Sequence, residues 1–386
     1  MRVLRPILLS AALFGCTAAS VADQGAPTPA APPFEVEEIA HFDQPWAMTF
    51  LPGGQQALIT ERRGRLLLWA RASASGATAD AVVAVGGVPA VDYGGQGGLG
   101  DVILDPQFAS NGLVYLSFAE SGEGGTRHAA VGRGQLVTAG GPPRLEGFQV
   151  IWRQTPGFEG QGHYGHRLAF SPDSRYLFIS SGERQQFTPA QDMSSNAGKV
   201  LRLYPDGTVP ADNPFASRGG VTAQIWSLGH RNPLGLAFDG QGRLWEVEMG
   251  PRGGDELNLI ERGSNYGYVT VSNGDHYDGR EIPDHNTRPE FNAPEITWTP
   301  VISPSSLIFY SGSMFPQWRG NALIAGLSGR AIVRVVFDGT NARETERYDM
   351  GQRIRELEQH PDGSIYVLED ERNGGGGRLL RLVPGR

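Results

Sequence analysis

One theme recurs six times along the chain: an apolar strand ends in a turn of Pro, Asp and Gly, and a second apolar strand follows it. The copies begin at Trp46 (WAMTFLPGGQQALITERRGRLLLW), Gly98 (GLGDVILDPQFASNGLVYLSF), His166 (HRLAFSPDSRYLFISSGE), Asn232 (NPLGLAFDGQGRLWEVEMG) and Arg353 (RIRELEQHPDGSIYVLED), with a degenerate sixth at Ser305. Self-similarity of this kind constrains a fold more than any local propensity, because each repeat is a unit that cannot bury its apolar face alone. Spacings of roughly 50 to 75 residues suit four-stranded blades. The expectation is therefore an all-β, six-bladed β-propeller over residues 34–386. A β-sandwich of this length would divide into two domains, and no linker follows Pro33. Glycine (54) and proline (27) make up about a fifth of the 386 residues, as many tight turns between short strands require.

Three stretches read as surface insertions: RASASGATAD from Arg71, SGEGG from Ser121, and the Asp/Asn/Pro-rich run from Asn273 to Pro294. The net charge is −8 and no segment concentrates Lys and Arg, which excludes the electrostatic footprint of a nucleic-acid binder. Ahead of the repeats, Arg2 and Arg5 precede a short apolar run from Ile7 to Phe14 and then small residues, the layout of a secretory leader over 1–22. The run is too short to serve as a transmembrane segment. Ser20-Val21-Ala22 fits cleavage and release into the periplasm, whereas Leu13-Phe14-Gly15-Cys16 resembles a lipoprotein box that would anchor the chain through Cys16. Cys16 is the only cysteine, so no internal disulfide forms, and the Ala/Pro-rich residues 23–33 read as a spacer.

Loops at one face of a propeller meet at the central channel, so residues distant in sequence can share a site there. Gly95-Gln96-Gly97-Gly98-Leu99-Gly100 matches G-x-G-x-x-G, but a strand follows it and not a helix, which argues against a pyrophosphate cradle. The loop still lets Gln96 approach a ligand closely. GQGHYGHRLAFSPDSRYLFISSGER places His163 and His166 before a strand and Glu183 at the end of the next. A carboxylate one hairpin away can fix the tautomer of a loop histidine and raise its basicity, as a general base requires; the alternative is a structural histidine. SLGHRNPLGLAFDGQGRLWEVEMGPRGGDELNLIERGSNYGY groups Arg231, Asn232, Glu248, Asp255 and Glu256 around a turn at Gly250-Pro251. Turn carbonyls outside strand pairing are hard-oxygen ligands suited to calcium, and a polar inter-blade loop is the competing reading. Arg353 and Arg355 flank Ile354, so they share one face of a strand. Two adjacent guanidiniums repel unless an anion lies between them, which points to a carboxylate-rich ligand or else to a solvated edge.

Taken together, GHRNP, EMGPRGGDELNLI and GQRIRELEQHPDG resemble the glucose/sorbosone dehydrogenase family, most closely its aldose sugar dehydrogenases, and the resemblance runs from about Phe34 to Leu382. It implies an enzyme that oxidises aldose sugars at C1 to lactones by hydride transfer to pyrroloquinoline quinone (PQQ), with Ca2+ as a second cofactor and an external electron acceptor. By the same resemblance His163 is the base, and Glu183 stands where the family usually has an Asp that orients it. Gln96, Arg231, Asn232, Arg353 and Arg355 match cofactor contacts, with His163 and Arg231 shared between catalysis and cofactor binding. The carbonyls of Gly250 and Pro251 match ligands of the cofactor's calcium, and Asp255 lies in the active-site loop. Glu256 and Tyr266 resemble ligands of a second calcium, with Asp275 or Asp278 as its remaining acidic ligand. Ser328 stands where relatives often carry a Lys, so Arg330 is the residue that could take over one carboxylate contact. Trp298, Leu234 and Tyr164 are expected to wall the sugar pocket. Two other functions compete: a calcium-dependent propeller lactonase, which would need carboxylates converging on the metal, and a binding-only propeller.

Overall fold

The computed structural model describes residues 31–72, 79–370 and 376–385. The leader, Cys16 and nearly all of the spacer lie outside the described residues, as does most of the stretch from Arg71. Six four-stranded antiparallel sheets follow one another around an axis, which is the expected six-bladed propeller. Their innermost strands are Pro45–Phe50, Leu99–Leu104, Gly165–Phe170, Pro233–Phe238, Pro304–Phe309 and Ile354–Gln359, which open blades one to six in that order. Each copy of the sequence theme falls on the first two strands of a blade, the degenerate copy at Ser305 included.

Closure of the ring uses a strand that the repeat does not contain. Phe34–Asp43 pairs antiparallel with Gly376–Pro384, from Phe34 opposite Pro384 to Asp43 opposite Gly376, and becomes the outermost strand of blade six. The two ends of the chain are thereby joined in one sheet, so no blade has to be held by packing alone. Apolar residues fill the space between blades, as where Leu357, Val367 and Leu380 of blade six meet Leu323, Ala325 and Ile332 of blade five. Side-chain hydroxyls add a second tie. Thr60, Ser117 and Ser180, each on the second strand of its blade, donate to the carbonyls of Gly100, His166 and Pro233 on the next blade's innermost strand, at 2.7, 2.7 and 2.9 Å. Among the described residues, no helix is long and apolar enough to cross a membrane.

On the axis sits one guanidinium. Arg167 of blade three donates from Nε to Leu234 O (2.9 Å, blade four) and from Nη2 to Ser305 O (2.8 Å, blade five) and Glu356 Oε2 (2.8 Å, blade six). Its Nη1 donates to Asp101 Oδ1 (3.2 Å, blade two), and its Cζ lies 4.6 Å from the ring centroid of Trp46 (blade one). All six blades therefore meet at this side chain. Burial pushes the Glu356 carboxyl up to about 7 even with Arg167 beside it, and raises Asp101 in the same way. A carboxyl raised in the folded state binds more protons there, so its contribution favours folding below the unfolded value and is lost as pH rises through the folded one. Arg167→Met removes the counter-charge and leaves both carboxyls buried. We expect a loss of about 3–5 kcal/mol near pH 8, as for other broken buried pairs, shrinking towards pH 5. Urea melts at the two pH values measure this, and a loss independent of pH would contradict it.

Candidate active site

The His163–Glu183 pair forms because two loops of blade three are locked together. His163 sits before the innermost strand with φ of +45°, in the left-handed region. Its N–H donates to Gln96 Oε1 at 2.9 Å, and its carbonyl packs so closely on Gly182 that a Cβ there would stand 2.2 Å from the oxygen. Gly182 must therefore be glycine. His163 Nδ1 lies 2.5 Å from Glu183 Oε1, and Glu183 Oε2 accepts the N–H of Phe187 at 2.7 Å. Both side chains are buried. Burial lowers the imidazole below its ordinary value and the Glu183 hydrogen bond opposes that, whereas for Glu183 burial is outweighed by the bond and charge of His163, so its carboxyl lies below the usual range. Nδ1 is thus committed to a carboxylate and Nε2 is left for chemistry. Arg184, adjacent to Glu183, holds this loop. It donates to the carbonyls of Gly162 (2.9 Å), Gly160 (2.8 Å) and Arg127 (3.0 Å), and lies 3.7 Å over the Tyr164 ring.

Arg231 and Asn232 reach the same mouth from the turn before blade four. Their N–H groups donate to Glu248 Oε2 at 2.5 and 3.2 Å, and Asn232 Oδ1 accepts from Gly165 N at 3.3 Å. Arg231 Nη1 donates to Met249 O (2.9 Å) and Gly250 O (2.6 Å). Asp255 fixes that turn: Oδ1 accepts Gly250 N (2.9 Å), and Oδ2 accepts Ile302 N (2.8 Å) and Ser303 N (2.6 Å). Burial raises its carboxyl to about 6 while the three N–H bonds work against the rise. Asp255 is therefore an anchor of the loop. Ser328 donates to Ser303 Oγ at 2.8 Å, on the same segment.

The anion inferred between Arg353 and Arg355 is present in the chain itself. Asp370 Oδ2 lies 3.0 Å from Arg353 Nε and 3.2 Å from Arg355 Nη2. Arg62 also acts on Asp370, and it donates to Gly95 O and to Gly97 O (3.3 Å), which ties this cluster to the Gln96 loop. Among the described residues Asp370 is thus shared by Arg353 and Arg355, with the charge of Arg62 acting on it from nearby. Arg355 Nε and Arg231 Nε, both buried, have no hydrogen-bond partner. Buried donors of this kind suit an anionic ligand with several acceptor oxygens.

The acidic partners of Glu256 differ from those expected. Asp278 is exposed and paired with Arg280 at 2.9 Å, and Asp275 accepts Ile282 N at 3.2 Å. Instead, Glu246 and Glu248 on one strand face Asn258 and Glu256 on the next. Asn258 Nδ2 donates to Glu246 (3.1 Å), Glu256 (3.1 Å) and Glu248 (3.4 Å), and a ligand atom from each of His230, Glu246 and Glu248 fits within 4.8 Å. Burial, then repulsion from Glu248, pushes Glu246 and Glu256 well above the usual carboxylate range. Glu246 Oε1 and Asn258 Oδ1 are buried acceptors without a partner, a donor set that fits a hard cation. The Tyr266 hydroxyl donates to Leu259 O, and its carbonyl lies 3.0 Å from His285 Nε2.

The expected wall of the sugar pocket changes. Trp298 lies on the outer strand of blade four, its indole N–H bonded to Glu344 of blade five at 2.7 Å, and Leu234 and Tyr164 pack in the core. His166 stacks on Tyr164 with centroids 5.2 Å apart, away from the Glu183 pair, and burial lowers its imidazole to about 3. Sequence reasoning missed Arg62, Arg184, Glu246 and Asp370. Only the alternating Glu246-Val247-Glu248 carried a signal, two acids on one face of a buried strand.

The model of the family described as Glucose / Sorbosone dehydrogenase matches residues 42–381. The aldose sugar dehydrogenase YliI of Escherichia coli K12 is 38% identical over 349 residues, which cover 89% of this chain and 90% of that one. The crystal structure of the soluble aldose sugar dehydrogenase of Escherichia coli in the apo form superposes with a TM-score of 0.83 at 37% identity, covering 91% of this chain and all of that one. The PQQ-bound aldose sugar dehydrogenase of Streptomyces coelicolor does so with a TM-score of 0.69 at 27% identity, covering 92% and 99%. The chain belongs to the glucose/sorbosone dehydrogenase family.

Proposed function

We propose that the chain is an exported quinoprotein that oxidises aldose sugars at C1 to lactones, with PQQ and Ca2+ as cofactors and His163 as the base. The observation that carries this reading is the buried His163–Glu183 pair, beside an arginine cluster in which the buried Nε atoms of Arg231 and Arg355 have no hydrogen-bond partner among the described residues. When bound, PQQ supplies a quinone that accepts hydride, and its carboxylates are the anions that Arg62, Arg353 and Arg355 suit. Gln96, Arg231 and Asn232 would hold it as well. Gly250 O and Pro251 O would hold a calcium ion there, since a carbonyl has two lone pairs and Arg231 uses one at Gly250. Glu256 with Glu246 and Glu248 would hold the second calcium, and the Tyr266 ring, stacked on His230 with centroids 4.8 Å apart, would wall that site.

At the sugar, His163 Nε2 takes the C1 hydroxyl proton as hydrogen leaves C1 with its electron pair. The C1–O bond gains carbonyl character and the lactone results. Glu183 stabilises the imidazolium while it lasts, and the N–H of Phe187 keeps that carboxylate ionised and aimed. Asp255 acts on the sugar only through the Gly250 turn it fixes.

Addition of PQQ and Ca2+ to the purified apoprotein should produce sugar-dependent dye reduction, and chelation of calcium beforehand should prevent it. Lactone hydrolysis without quinone would favour the lactonase. His163→Ala should lower turnover by about 10²- to 10⁴-fold while quinone uptake, followed by absorbance titration, stays near normal. Joint loss of turnover and quinone uptake would mean that His163 is a structural residue. Glu183→Gln should cost less, and it carries a signed pH effect. Because the Glu183 carboxylate raises the His163 pKa, its removal leaves the imidazole neutral to lower pH. The acid limb of kcat/KM should move to lower pH in the variant, and an unmoved or upward-shifted limb would contradict the pairing.

A further inference from the structure

The exposed large aromatic side chains among the described residues stand beside site residues. Tyr93 lies against Arg62, with the guanidinium 5.6 Å from its centroid, and Tyr277, 73% exposed, lies 5.7 Å from the Arg231 guanidinium. Phe187, 44% exposed, is the residue whose N–H donates to Glu183. Its ring meets His276 edge to face, with centroids 5.6 Å apart and planes at 77°. Of the exposed valines, those at 36, 82 and 83 lie on outermost strands and Val209 lies in the loop after Lys199–Leu203.

Phe187 is costly where it stands. A bulky residue at φ of +63° is an outlier, and an exposed ring forgoes burial. A glycine would remove both costs and keep the N–H that Glu183 needs. Observed strain of this kind is grounds for a functional hypothesis. The ring chemistry names a ligand class. One face of a pyranose is a patch of C–H groups, and an aromatic ring presents an electron-rich face to polarised hydrogens. Position names which ring of a saccharide is met. His163 is 4% exposed, so the reacting C1 end lies deep, while Phe187 and Tyr277 stand at the outer edge.

We propose that Phe187, supported by His276, and Tyr277 form a platform for the second ring of an oligosaccharide whose reducing end is oxidised at His163. The proposal rests on the reading of His163 given above. Its test uses the enzyme loaded with PQQ and Ca2+, with Phe187→Gly, which tolerates the positive φ, and Tyr277→Ser. Each should raise KM for maltose about 2- to 13-fold, the span of one aromatic contact, and raise KM for glucose by less than half of that factor. Equal changes for the two sugars, or none, would overturn the platform. Calorimetric titration with methyl maltoside and methyl glucoside, which have no free C1 hydroxyl, separates binding from chemistry. Tighter binding of the maltoside, lost in both variants, supports the platform even if neither sugar is oxidised, an outcome that would overturn only the oxidase reading. No preference between the two glycosides in the unaltered protein would overturn the platform.

Discussion

A ring of six sheets has no central strand to organise it, so the innermost strands must be held in register by something at the axis. Arg167 does this with one planar group that reaches blades two, four, five and six through hydrogen bonds and blade one through Trp46. A guanidinium suits the task because its donors diverge in a plane and it stays charged when buried. Apolar packing between blades supplies most of the burial, but it is non-directional and would tolerate a blade sliding along the axis. The hydrogen bonds at Arg167 set the height of each inner strand, and the site residues sit on the turns at the ends of these strands.

From that frame the mouth is built by side chains that grip main chain. Arg184 holds carbonyls of the loop before His163, Glu248 holds the N–H groups of Arg231 and Asn232, and Asp255 joins the Gly250 turn to Ile302 and Ser303. None of the three needs to touch a substrate to matter. Each is buried and nearly saturated with partners, so the loops that carry His163, Arg231 and Gly250 are fixed before any ligand arrives, which lowers the cost of binding. Arg231 Nε and Arg355 Nε are among the buried polar atoms left without a hydrogen-bond partner among the described residues.

The six inner strands were legible because each repeat carries its own turn signal. The closing strand Phe34–Asp43 was not, since its partner Gly376–Pro384 lies more than 300 residues away and no local pattern records the pairing. The same distance rule separates what was and was not read at the site. His163 and Glu183 are one hairpin apart, so their pairing followed from spacing. Asp370, which pairs with Arg353 and Arg355, sits just past the far end of the neighbouring strand, and only the register across that hairpin brings it back beside them. The pair was read as needing an anion or else as a solvated edge, and the nearest anion is internal. Trp298 and Tyr164 were assigned to the pocket by residue type, and type does not tell which side of a blade a ring faces.

Glu248 joins the acidic cluster of blade four to the catalytic mouth. Its Oε2 accepts from Arg231 and Asn232, while Oε1 lies 3.4 Å from both Asn258 Nδ2 and His230 Nδ1. Of the three clustered glutamates it alone is supplied with two main-chain donors, so negative charge is better accommodated there than on Glu246 or Glu256, which share one amide. Three carboxylates this close cannot all carry charge in a buried site without a counter-ion. Either the two outer ones take up protons or a cation takes their place, and in both cases Glu248 is left to hold the turn.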